Sequence, residues 1–122
     1  MIDHLGIGAS DLARSRDFFL AALRPLGATL AMEDPVGGVG IGQAGKPALW
    51  LSQVEQAPTP LHIAFTASSR AQVDAFHAAA LAAGGRDNGP PGLRPHYHPH
   101  YYGAFVIAPD GHNIEAVCHA PE

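Results

Sequence analysis

The chain has 122 residues, room for one domain with its own core but not for two independent ones. At 47% hydrophobic and 15% charged residues it has the composition of a folded globular protein, and no apolar run reaches the roughly 18 residues of a membrane span. A formal net charge of −4 without any Lys/Arg cluster argues against a nucleic-acid partner.

In chain order, residues 2–8 are short, apolar and alternating and predict a strand. Ser10-Asp11 predicts a helix start, with Ser10 as N-cap. Leu12, Phe19, Ala22, Leu23 and Leu26 follow at helical spacing, and Gly27 stops the helix after Pro25. Three short strands are expected at about 28–33, 36–43 and 47–54, broken by Asp34-Pro35 and Gly45-Lys46. Gln56–Pro60 has linker composition. The pattern then restarts with a strand at Leu61–Thr66 and a helix near Ser69–Ala83, closed by Gly84-Gly85. Phe76, Ala80 and Leu81, with Val73 one turn earlier, mark its buried face. Further strands are expected near 86–88, 103–108 and 112–119, the last two joined by the turn Pro109-Asp110-Gly111.

Each half therefore reads β-α-β-β-β, an α+β chain, and the halves resemble one another. At an offset of 58, His4 aligns with His62, Ala9 with Ala67, Ser10 with Ser68, Phe18 with Phe76, Leu23 with Leu81 and Gly27 with Gly85. Such self-similarity points to a duplicated module with an approximate two-fold axis. The expected organisation is one domain over 1–122: module one at 1–56, a linker at 56–60 and module two at 61–122.

Symmetry brings the paired histidines toward one central space, and a carboxylate in the closing strand of module two completes the set. Glu115 stands between Ile114 and Ala116-Val117 in an otherwise apolar strand, and burying it without a cation is costly. His4, His62 and Glu115 form two imidazoles and one carboxylate, a facial donor set that leaves coordination positions open. Fe²⁺, Mn²⁺, Co²⁺, Ni²⁺ and Zn²⁺ all tolerate these donors. The segment Pro95–Tyr102 holds His96, His98 and His100 with Tyr97, Tyr101 and Tyr102, and reads as an ordered pocket mouth. Cys118 is the only cysteine, and MIDHLGIG lacks a basic-then-apolar leader, so a reducing cytoplasm is expected.

These residues together resemble the vicinal oxygen chelate superfamily, which includes glyoxalase I, fosfomycin-modifying thiol transferases, extradiol ring-cleaving dioxygenases and bleomycin-binding resistance proteins. The resemblance rests on Asp3-His4-Leu5-Gly6-Ile7, Ser10-Asp11-Leu12 with Arg16-Asp17-Phe18-Phe19, Leu61-His62-Ile63-Ala64-Phe65 and Pro109–Glu115. It implies paired βαβββ modules whose curled mixed sheets enclose a cup, with the metal ligands mapping onto His4, His62 and Glu115. It also implies a homodimer, the cup closing either within one chain or by module exchange between two. Glyoxalase I-like members carry a further glutamate where this chain has Trp50, which weakens a lactoylglutathione-lyase activity. Trp50 is instead expected to stack on a planar substrate or to close the floor of the cup. Tyr97, Tyr101 and Tyr102 are expected to touch substrate, and His96 or His100 to move a proton.

The function implied is a metal-dependent lyase, isomerase or dioxygenase-like enzyme that chelates vicinal oxygens of a small substrate on the ion. The alternative is a non-catalytic binding protein that sequesters an aromatic or metal-chelating antibiotic, and a third reading is a regulatory domain with a degenerate site.

Overall fold

Two copies of one βαβββ arrangement follow each other in the computed structural model, which describes residues 1–122. Module one runs β1 (Leu5–Ala9), α1 (Leu12–Leu23), β2 (Thr29–Glu33), β3 (Val39–Gly42) and β4 (Leu49–Gln53). Module two runs β5 (His62–Thr66), α2 (Arg70–Ala82), β6 (Arg86–Leu93), β7 (Tyr102–Ile107) and β8 (Asn113–Cys118). Each module makes its own four-stranded mixed sheet, in the orders β1-β4-β3-β2 and β5-β8-β7-β6. The first strand of each pairs parallel with the last, and the remaining pairs are antiparallel.

The alternation of the strands decides which face each residue takes. Ile7, Ile41, Leu49 and Leu51 face α1, while Ile114, Ala116 and Val106 face α2, all of them buried. Phe18 on α1 and Phe76 on α2, equivalent in the two halves, are both buried in a single core that draws residues from both modules. The helices touch one another as well as their own sheets, so the modules meet through their helices. Leu81, expected on the buried face of α2, is instead partly exposed, and Val73, Phe76 and Ala80 carry that contact.

Helix ends follow local chemistry, with one correction. The N-cap of α1 is Asp11, whose side chain accepts from the Arg14 amide, and not Ser10. Ser10 is engaged by module two: its amide donates to Asp110 Oδ2 at 2.9 Å and its hydroxyl donates to Asp110 Oδ1. Burial alone would raise the Asp110 carboxyl, but these bonds outweigh it and hold it below the ordinary aspartate value. Pro25 ends α1 in a 3₁₀ turn, Arg24–Leu26, and Gly27 closes it at φ 87°, a left-handed cap.

The strand expected near 86–88 is longer, Arg86–Leu93, despite Pro90 and Pro91. Its place at a sheet edge explains this: an edge tolerates prolines, and the register shifts at Gly89 and Gly92 absorb them.

Candidate functional site

The two registers superpose the halves residue for residue. Gly6 lies opposite Trp50 in the β1–β4 pair, and Ala64 lies opposite Glu115 in the β5–β8 pair. His4 and His62 therefore occupy equivalent positions just before those pairs, and Trp50 occupies in module one the place that Glu115 takes in module two. All four lie on the sheet faces turned away from the helices.

In module two this face carries a compact acid–base group. Glu115 is only 1% exposed, and its Oε1 lies 2.9 Å from His62 Nε2. Its Oε2 accepts a hydrogen bond from the Tyr101 hydroxyl. No lysine or arginine forms an ion pair with it. Burial and the neighbouring Glu115 carboxylate push the Tyr101 phenol well above its ordinary value, so it stays a neutral donor. Gly103 leaves room for the pair: a Cβ there would lie 3.1 Å from the Tyr101 ring and 3.2 Å from Glu115 Oε2.

Module one presents a different surface. A cleft of about 590 Å³ is lined by His4, Gly6, Asp34, Gly38, Trp50, Leu51 and Ser52. The Trp50 indole lies over Gly40, where an added Cβ would approach it to 3.1 Å. His4 is exposed and its Nδ1 pairs with Asp3 Oδ1 at 2.8 Å, leaving Nε2 unengaged.

The structure thus joins His62 to Glu115 but does not bring His4 to them within one chain. No three His, Cys, Asp or Glu side chains lie close enough together to share an ion. Within the chain the helices of the two modules pack on one another, and His4 is not among the groups beside His62 and Glu115.

The His/Tyr loop is ordered around Arg94, which sequence reasoning missed. Its guanidinium donates to the carbonyls of Pro90, Gly92 and Gly103 and lies 5.4 Å over the Phe105 ring. Tyr97 is exposed and packs on His96 and Tyr101, while His96, His98 and His100 face solvent. Tyr102 turns the other way, to the helix side, where its hydroxyl donates to Asp74 at 2.6 Å and Arg70 covers its ring. Of the loop residues, only Tyr101 reaches Glu115.

His112, which follows the turn Pro109-Asp110-Gly111, is 1% exposed. Its Nδ1 accepts from the Leu61 amide at 3.0 Å, and its Nε2 is buried without a partner. Burial lowers its proton affinity below the ordinary value of 6.5, outweighing the pull of Asp110. As pH falls through about 6.5 the unfolded chain takes up a proton that the folded chain refuses, so stability drops; above that both states are neutral. The urea midpoint of the parent is expected to fall between about pH 7 and about pH 5.5. His112→Gln, which keeps an acceptor for Leu61 and does not titrate, is expected to flatten that slope.

No helix is long and apolar enough to cross a membrane. A family model described as the glyoxalase/bleomycin resistance protein/dioxygenase superfamily matches residues 1–116. A glyoxalase/bleomycin resistance protein from Albidiferax ferrireducens is 30% identical, with a TM-score of 0.79 and 97% of each chain covered. A possible glyoxalase from Bacillus cereus is 25% identical at a TM-score of 0.67, covering 97% of this chain and 98% of that one. A glyoxalase-related enzyme from Fulvimarina pelagi, 19% identical, shares the fold at a TM-score of 0.73, covering 97% and 87% of the two chains. No curated protein sequence matches the chain.

Proposed function

The chain belongs to the glyoxalase/bleomycin resistance protein/dioxygenase superfamily, and from that premise we propose that it is a metal-dependent enzyme acting on a small substrate with two adjacent oxygens. His62 and Glu115 of one copy and His4 of a second copy would hold one divalent ion: Zn²⁺, Ni²⁺, Fe²⁺, Mn²⁺ or Co²⁺. Such an ion, when bound, supplies Lewis acidity to oxygens on which negative charge builds.

The buried Glu115 carboxylate carries this reading. A charge removed from water with no Lys or Arg beside it costs several kcal/mol. Its neighbour, an imidazole nitrogen at 2.9 Å, is itself a metal donor. A cation seated between His62 and Glu115 would remove that cost.

A homodimer would fit the same geometry. β1 and β5 each end a sheet with one unpaired edge, and the donors are divided between the outer faces of the two modules. A second copy set edge to edge would bring its His4 and Trp50 over the first copy's His62 and Glu115, making the cup by module exchange. Trp50 would then offer a planar floor for substrate, Tyr97 would border the opening, and His96 or His100 would move protons at its rim.

Freshly purified protein is expected to hold close to one divalent ion per chain by elemental analysis. At a hundredfold excess over Kd, the ion should stabilise the fold by about 2.7 kcal/mol. Protein that retains no ion and melts unchanged with added Ni²⁺, Zn²⁺ or Fe²⁺ would contradict the proposal. Tight binding of an organic ligand by metal-free protein, without turnover, would favour sequestration, for which the half-exposed Trp50 in its cleft is the supporting feature.

A further inference from the structure

Glu115 has two oxygens, and the structure gives them different neighbours. Oε1 faces His62 Nε2 at 2.9 Å, whereas Oε2 accepts the Tyr101 hydroxyl proton. The Tyr101 ring is held edge-on between Tyr97, at 5.1 Å, and His119, at 5.2 Å. Its backbone is pinned by the Tyr101 amide donating to the His98 carbonyl and by its own carbonyl accepting from the Arg94 amide. Below the pair, Gly103 supplies the space that a Cβ would fill, within 3.2 Å of Oε2. The hydroxyl is thus aimed at one carboxylate oxygen by a loop, two rings and a glycine.

We infer that Tyr101 is a positioning residue that occupies Glu115 Oε2 and so makes Glu115 a one-oxygen ligand through Oε1. This rests on the metal-site reading above and goes beyond it by fixing how many positions the protein uses. A carboxylate with both oxygens free can bind a cation through two of them, taking a position that substrate would otherwise fill. Held by Tyr101, Glu115 spends one oxygen on the ion and leaves that position to the substrate's second oxygen. Hydrogen-bonded partners of metal ligands set their orientation and basicity in this way.

The test is Tyr101→Phe in the full chain, which keeps the ring packing and removes only the hydroxyl. Co²⁺ affinity is expected to fall by about 10–100-fold, and X-ray absorption of the Co²⁺-loaded variant to show the carboxylate carbon drawn in toward the ion, the mark of a carboxylate bound through two oxygens, which the parent lacks. Equal affinity in parent and variant would overturn the inference. So would weaker binding with the carboxylate carbon at the parent's distance, because a merely structural loss would leave the carboxylate's binding mode alone. A parent that binds no Co²⁺ would overturn the metal-site reading and this inference with it, so the two failures are distinguishable.

Discussion

Glu115→Ala is expected to abolish stoichiometric metal binding while leaving the fold intact. Disturbing a partner of a metal ligand already costs 10–100-fold in affinity, so loss of the carboxylate itself is expected to cost more than about 100-fold. Activity should vanish with the ion. Stability of the metal-free protein should change far less. Truncation spares the desolvation of a carboxylate buried with no Lys or Arg beside it, but it also takes the partner from His62 and from the Tyr101 hydroxyl. The two effects oppose one another, and the metal-free variant is expected to melt close to the metal-free parent. Calorimetric titration with Zn²⁺ or Ni²⁺ and paired thermal melts measure both effects. A variant that binds the ion as well as the parent, or one that unfolds outright, would contradict the assignment of Glu115 as a ligand in a preformed sheet.

The fold was legible because its signals are local and repeated. Alternating apolar residues, Ser69 as a cap, Gly27 and Gly85 as stops and the paired Phe18 and Phe76 specify each βαβββ module. The equivalence of His4 with His62, read from the repeat, reappears in the strand registers, as does that of Trp50 with Glu115.

What the chain pattern did not carry was anything decided by contacts between modules. Ser10 has the right chemistry for a cap, but Asp110, a hundred residues away, takes its hydroxyl and leaves the cap to Asp11. Tyr101 and Tyr102 are neighbours of like type, yet strand alternation sends one hydroxyl to Glu115 and the other to Asp74. His112 carries no mark of burial in the sequence, yet it is buried, with its ring bonded to the Leu61 amide. Above all, the halves pair by symmetry in sequence without the two histidines meeting in space. The helices of the two modules pack on one another instead, a contact that no residue within the repeat announces.

Two inactive chains mixed together provide the most direct test of a site built between copies. His4→Ala lacks the donor of module one, and Glu115→Ala lacks that of module two. If each centre draws His4 from one copy and His62 with Glu115 from the other, every mixed dimer contains one centre with both defects and one with none. Random exchange makes half the dimers mixed and so restores about a quarter of the parent's metal sites and activity. The expected result is no binding in either variant alone and a return of about that fraction after unfolding and refolding them together. Two variants that stay inactive when refolded together, although size-exclusion chromatography shows mixed dimers, would contradict a shared centre.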